Sequence, residues 1–313
     1  MAIAFTFPGQ GSQHVGMGEE LAKAFAPARE TFQEIDDALS QHLSKVMWQG
    51  PEDELILTEN AQPALMAVSL AVMRTLEREA GLDLGATAAF VAGHSLGEYS
   101  ALAAAGALTV ADTARLLKLR GQAMQQAVPV GEGAMAALLG LDVGQALEVA
   151  RAAARDQVCD AANDNAPGQV VVSGNREAVE RAVDLAKEAG AKRAVLLPVS
   201  APFHCSLMQP AADVMAEALE AATFGAPAVP LVANVTASSL TEPAEIRQKL
   251  VEQVTGMVRW RESVGFMVEN GVYTLYELGA GKVLSGLARR IHRDATAVPV
   301  GTPADIEAAA DAF

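Results

Sequence analysis

The chain of 313 residues is 51% apolar, 19% charged and only 4% aromatic, ample for a sizeable core, which excludes a disordered chain or a small stapled scaffold. Lysine and arginine total 23 against 38 acidic residues, and the net charge of −15 argues against a general affinity for nucleic acid and leaves any anionic partner to a local basic patch. Two cysteines, Cys159 and Cys205, make neither a disulfide framework nor a four-thiolate zinc site and point to a reducing, cytoplasmic setting. The opening MAIAFTFPGQ lacks the charged n-region of a signal peptide and reads as a strand. No apolar run reaches the 18 or so residues of a membrane span, the greasy stretch 86–110 being cut by His94 and Glu98, so a soluble protein without a membrane partner is expected.

Short apolar runs that end in Gly or Pro alternate with helical periodicity, the rhythm of an α/β fold with a largely parallel, buried sheet. The first strand is 3–7. Helical segments follow at 18–26, 28–43 and 62–79, the last with 58–60 as its cap region and Pro63 in its first turn. A second strand at 88–92 enters the turn 93–97 and a helix at 98–105; another helix, 113–119, closes at Arg120. Residues 133–200 then read β-α-β-β-α-β, the order of a ferredoxin-like split βαβ unit. The expected division is a catalytic body of 1–130 and 200–313 with a small subdomain, 131–199, inserted in it. The body continues with helices at 210–222, 244–254 and 263–270, strands at 229–235 and 274–278, and a last helix at 282–292; the alanine-rich tail 306–313 is expected to fray.

Gly93-His94-Ser95-Leu96-Gly97 matches Gly-x-Ser-x-Gly between a buried strand and a helix. There the glycines permit a sharp turn that presents the serine, and the Leu96 amide can face an oxyanion. A serine nucleophile needs a base, most often histidine. Of five histidines, His94 adjoins the serine in sequence, His42 sits on an amphipathic helix, His292 lies among arginines, and His14 follows a Gly-rich turn. His204 follows an apolar strand, where loops build α/β active sites, and is the chosen base. The turn around Gly9 and Gly11 lacks the third glycine of a dinucleotide fingerprint, and Gly279-Ala280-Gly281-Lys282 lacks the rest of a P-loop. Arg120 reads either as a solvated helix end or, turned inward, as a fork for a substrate carboxylate with Met124 on the same face.

Taken together, residues 7–13 (FPGQGSQ), 58–64 (TENAQPA), 93–100 (GHSLGEYS), 120–121 (RG), 167–171 (PGQVV), 202–204 (PFH) and 277–284 (ELGAGKVL) resemble the malonyl-CoA:acyl carrier protein transacylases over nearly the whole chain. The resemblance implies an α/β-hydrolase-like body with a ferredoxin-like insert. It makes Ser95 the nucleophile, His204 the general base and acid, and Arg120 the ligand of the malonyl carboxylate. It places Gln10 with the Leu96 amide in the oxyanion hole, and Gln62, Met124, Asn163 and Phe203 along the pocket, with Phe203 resembling the malonyl-selecting form of its loop. It implies that a backbone carbonyl, near Arg259, orients the base in place of a triad carboxylate. Ala280 departs from the family, which usually has Pro there. The implied partners are malonyl-CoA and holo acyl carrier protein, with no metal or redox cofactor needed; a monomer is expected, though the residues themselves do not decide the oligomeric state. Arg289, Arg290, Arg293, Lys187, Lys192 and Arg193 are candidates for carrier docking, an alternative to a plain solvated face. A serine hydrolase on the same elbow is the second reading, told apart by a buried Asp or Glu completing a triad; a catalytically silent carrier-binding module is the third.

Overall fold

The computed structural model describes residues 2–310, 312 and 313. Two sheets carry the fold. The larger is built from β1 (Ala2–Phe7), β2 (Ala88–Gly93), β7 (Leu231–Val232), β8 (Ser239–Leu240), β9 (Val272–Leu278) and β10 (Thr296–Val300), in the order β10-β9-β1-β2-β7-β8. All its pairings are parallel except the short β7–β8 hairpin. Alternation of apolar and polar residues is absent from β1, whose residues Ala4, Phe5 and Phe7 are all fully buried, because helices cover both faces of a parallel sheet. The C-terminal ends of β1 and β2 lie side by side, Phe7 opposite Gly93, and this is the edge where α/β sheets place their sites.

The second sheet is antiparallel and is made of β3 (Gly133–Leu139), β4 (Cys159–Ala166), β5 (Gln169–Asn175) and β6 (Arg193–Leu196), in the order β4-β5-β3-β6. With helices Val143–Ala154 and Arg176–Glu188 on one face it has the ferredoxin-like order and its own core of Ala136, Leu138, Val149, Val170, Val172 and Val179. Its β4 is stitched to the body: Asp164 N donates to Val258 O, Val258 N to Ala162 O, and Arg261 pairs with the Asp164 carboxylate at 2.7 Å. Among the described residues no helix is long and apolar enough to cross a membrane.

Several elements differ from the sequence expectation. The helix expected at 28–43 stops at Leu39, where Ser40 adopts φ 48°, and His42 sits ahead of a separate helix, Leu43–Gln49, rather than on the amphipathic one. The central helix begins at Thr58, ahead of the expected start at 62, and Pro63 lies inside it. Thr58 and Asn60 do not cap it because their side chains bond elsewhere, Thr58 Oγ1 to Gln10 Oε1 at 2.9 Å and Asn60 Nδ2 to Glu54 O at 2.9 Å. Every residue from Asn60 to Met73 is buried, as suits a helix enclosed by Ala26–Leu39 on one side and Val110–Ala127 on another. The strand expected at 229–235 pairs only at Leu231 and Val232. Beyond Val283–Ile291 the chain adds β10 and a helix, Pro303–Ala310, in the tail expected to fray; Ile306 and Ala309 are buried, and the Phe313 ring packs on Phe5 and Tyr276.

Candidate active site

Ser95 stands between β2 and the helix Leu96–Ala104 with φ 54° and ψ −110°, a strained backbone that persists only where the surroundings determine it. They do so by clearance and by hydrogen bonds. A Cβ on Gly93 would fall 1.9 Å from the Gly97 carbonyl, and one on Gly97 would fall 2.2 Å from Phe7 O, so neither glycine can be replaced without moving backbone. The Ser95 amide donates to Asn234 Oδ1 at 2.8 Å, and its carbonyl accepts from Gln253 Nε2 at 2.9 Å. Leu96 opens the helix, so its amide has no helical acceptor.

Ser95 Oγ lies 2.7 Å from His204 Nε2, across a separation of more than a hundred residues. His204 too has a positive φ, 58°, and is 4% exposed. Burial first, and the positive charge of Arg120 second, hold its imidazole down at about 3. The ring is therefore neutral at physiological pH and can accept a hydroxyl proton. Its Nδ1 meets the Gln253 carbonyl at 2.8 Å. That corrects the expectation of Arg259. Gln253 lies in the last turn of the helix Pro243–Thr255, where carbonyls lack helical donors. The Arg259 carbonyl instead starts the next helix and accepts from Ser263 N at 2.9 Å, while its guanidinium grips Glu262.

Arg120 is in the middle of the helix Val110–Ala127, not at its end, and is 1% exposed. Its Nη1 donates to Gln62 Oε1 at 2.7 Å; its Nη2 reaches Gln253 Oε1 at 2.8 Å and Ser95 Oγ at 3.2 Å. The guanidinium also lies over the Tyr99 ring, 5.6 Å from its centroid. All of these partners are neutral, and among the described residues no carboxylate pairs with it. Burial pulls its pKa down from the ordinary value.

These groups line one cavity of about 420 Å³. Gln10, Gln62, Leu96, Met124, Asn163 and Phe203 all border it with Ser95, Arg120 and His204, so the sequence-predicted pocket residues do come together. Gln10 turns its side-chain oxygen to Thr58, whose Oγ1 also accepts from Gln62 Nε2 at 3.0 Å. His94 shares an Nε2···Oδ1 hydrogen bond of 2.8 Å with Asn165 and packs on Trp260, which ties the elbow to the second sheet. His14 is exposed and its ring lies near Ser12 O; it takes no part. Sequence reasoning missed Asn234, Gln253 and Glu98. The first two are ordinary amides in unmarked stretches, but Glu98, a carboxylate inside the long apolar stretch 86–110, carried a signal.

The acyl transferase domain family matches residues 4–298. A Bacillus subtilis protein named malonyl CoA-acyl carrier protein transacylase is 46% identical over 308 residues, 98% of this chain and 96% of that one. The crystal structure of an acyl-carrier-protein-S-malonyltransferase from Bartonella henselae superposes with a TM-score of 0.97 at 57% identity, covering 100% of this chain and 99% of that one. A malonyl-transacylase solved in complex with a type II PKS acyl-carrier protein gives a TM-score of 0.96 at 45% identity, with full coverage of both chains. With a serine elbow, a neutral histidine and an unpaired buried arginine in one cavity, the chain belongs to the acyl transferase family and, within it, to the malonyl CoA-acyl carrier protein transacylases.

Proposed function

We propose that the protein moves a malonyl group from malonyl-CoA to the phosphopantetheine thiol of holo acyl carrier protein through a malonyl-serine on Ser95, as an extender-loading step of fatty-acid or polyketide synthesis. The observation that carries this reading is Arg120: a buried guanidinium with only neutral partners, 3.2 Å from Ser95 Oγ. Leaving a cation out of water without a counter-charge costs several kcal/mol, and a substrate carboxylate seated there removes that cost while placing its acyl carbon at the serine.

In the first half-reaction Ser95 Oγ attacks the thioester carbonyl as His204 Nε2 takes its proton. The oxyanion is received by the Leu96 amide with Gln10, and coenzyme A departs with the proton from His204. In the second, the carrier's thiol gives its proton to His204 and attacks the ester, and Ser95 is restored. The malonyl carboxylate has a further effect. By neutralising Arg120 it lifts the charge that helps depress His204, so the base strengthens when the matching substrate is bound. The Gln253 carbonyl on His204 Nδ1, in place of a triad carboxylate, favours this reading over a serine hydrolase. A cytoplasmic setting suits the two free, buried thiols Cys159 and Cys205. Carrier docking falls to the exposed basic face, on which Arg290 bonds Gln169 and Lys187 pairs with Asp184, leaving Lys192, Arg193 and Arg293 for an acidic partner.

The test is intact-mass spectrometry after brief exposure to malonyl-CoA, followed by holo acyl carrier protein. Wild type gains one malonyl adduct that passes to the carrier, and Ser95→Ala gains none. An adduct that goes to water while the carrier is ignored would make the protein a hydrolase.

A further inference from the structure

One carboxyl group, outside the cavity, ties together the serine, the histidine and the arginine of the site. Glu98 lies one helical turn beyond Ser95 and is 1% exposed. Its Oε2 accepts from Gln253 Nε2 at 2.8 Å and from the Asn234 backbone amide at 3.2 Å. Gln253 is the junction. Its Nε2 holds the Ser95 carbonyl, its own carbonyl holds His204 Nδ1, and its Oε1 holds Arg120 Nη2. Asn234, the second residue bonded to Glu98, holds the Ser95 amide and, through Nδ2, the Gly93 carbonyl at 2.7 Å.

A side-chain amide has two orientations, related by exchange of its oxygen and nitrogen. Glu98 Oε2 faces Gln253 as an acceptor whether the group is ionised or holds its proton on Oε1, and a guanidinium offers only donors. With Glu98 on one side and Arg120 on the other, a flipped amide would set oxygen against oxygen and N–H against N–H, so one orientation survives. We propose that Glu98 is the positioning residue of this site: by fixing Gln253 it sets the Ser95 elbow, the His204 ring and the Arg120 fork at once. This role rests on the transacylase reading only for its substrate, since the serine and histidine geometry it governs is independent of what is transferred.

Two readouts on the intact enzyme test it. The first is the rate at which phenylmethylsulfonyl fluoride, a neutral reagent with no carboxylate, sulfonylates Ser95, followed by intact mass. The Ser95 Oγ–S bond forms, fluoride leaves and His204 takes the proton. The second is kcat and KM for malonyl transfer to holo acyl carrier protein. Glu98→Ala is expected to slow labelling and kcat about 10- to 100-fold, in line with the cost of misplacing a reacting group by a fraction of an ångström to an ångström. It should also raise KM for malonyl-CoA but not for the carrier, because the Arg120 fork loosens. Glu98→Gln, which keeps an acceptor oxygen, recovers most of both losses. A double variant with Gln253→Ala should be no more than about twofold worse than the worse single variant, because both act through one junction.

A merely structural role would lower the active fraction and leave KM unchanged. Rates within about twofold of wild type in folded Glu98→Ala, or losses that multiply in the double variant, overturn the proposal. If Glu98→Ala does not fold by circular dichroism, Glu98→Asp decides by the same rates, since its shorter side chain cannot reach both donors. If wild type is labelled yet transfers no malonyl group, the functional reading fails while the labelling comparison still decides the role of Glu98.

Discussion

Two arginines of this protein meet buried surroundings in opposite ways. Arg261 is one-third exposed and lies against Asp164, a carboxylate 1% exposed in its side chain, at 2.7 Å. The pair fastens β4 of the second sheet to the body. Arg120 is more deeply buried, yet its hydrogen bonds go to two amide oxygens and a hydroxyl. Burying charges is tolerable when they are paired and hydrogen-bonded, and costly otherwise. The first arrangement completes itself within the protein. The second has only neutral partners, and under the proposed function a substrate anion would complete it, so the difference would separate a charge that holds structure from one that recognises substrate.

The sharpest way to break this contrast is to remove each cation and read both activity and stability. Arg120→Met keeps the volume and deletes the fork. Each charge-assisted hydrogen bond contributes about 1.5 to 3 kcal/mol, so malonyl transfer should fall by a factor on the order of 100 or more, while acylation by acetyl-CoA falls far less. Stability should stay within about 1 kcal/mol of wild type, because relief of an unpaired buried cation offsets the acceptors left without donors. Arg261→Met should do the reverse. It leaves Asp164 buried without its partner and should cost about 2 kcal/mol in denaturant unfolding, less than for a fully enclosed pair because Arg261 is partly solvated, with transfer rates changed less than about threefold. Equal effects of the two substitutions on substrate selectivity would erase the distinction.

The sequence disclosed the parts of the site that carry their own local chemistry. Gly93-His94-Ser95-Leu96-Gly97 announces a turn because only glycine clears the Gly97 and Phe7 backbone there. The β-α-β-β-α-β order of the second sheet followed from apolar runs and turn residues, each readable over a few positions. The direction Arg120 faces was not legible, since a helical arginine beside a glycine fits a solvated end equally well. The partner of His204 was not legible either: any backbone carbonyl can accept from Nδ1, and which one does depends on where the helix Pro243–Thr255 ends in space. The same holds for Asn234 and Gln253, which act through distance across more than a hundred residues. The terminal helix was missed because alanine-rich sequence lacks an amphipathic stripe, and only the packing of Ile306, Ala309 and Phe313 orders it.

Glu98 and His204 extend the contrast between the two arginines to groups whose burial disfavours their charged forms, and the pH dependences they give to stability have opposite sign. Burial raises Glu98 from 4.5 to about 7, against the pull of its hydrogen bond from Gln253. Burial and Arg120 lower His204 from 6.5 to about 3. For His204 the unfolded chain binds a proton that the folded protein does not, so its contribution is fully present above pH 6.5 and is lost as pH falls toward 3. For Glu98 the folded protein keeps a proton that the unfolded chain has released, so its contribution is present below pH 4.5 and is lost as pH rises toward 7. Between pH 4.5 and 6.5 the two slopes cancel. Glu98→Gln removes one of them, so the stability of that variant relative to wild type should rise with pH across this window by up to about 1.4 kcal/mol per unit. His204→Ala should show the opposite trend over the same window. Urea unfolding of the three proteins at about pH 5 and about pH 6 reads both signs, and parallel curves would mean that neither group is held in its neutral form by the fold.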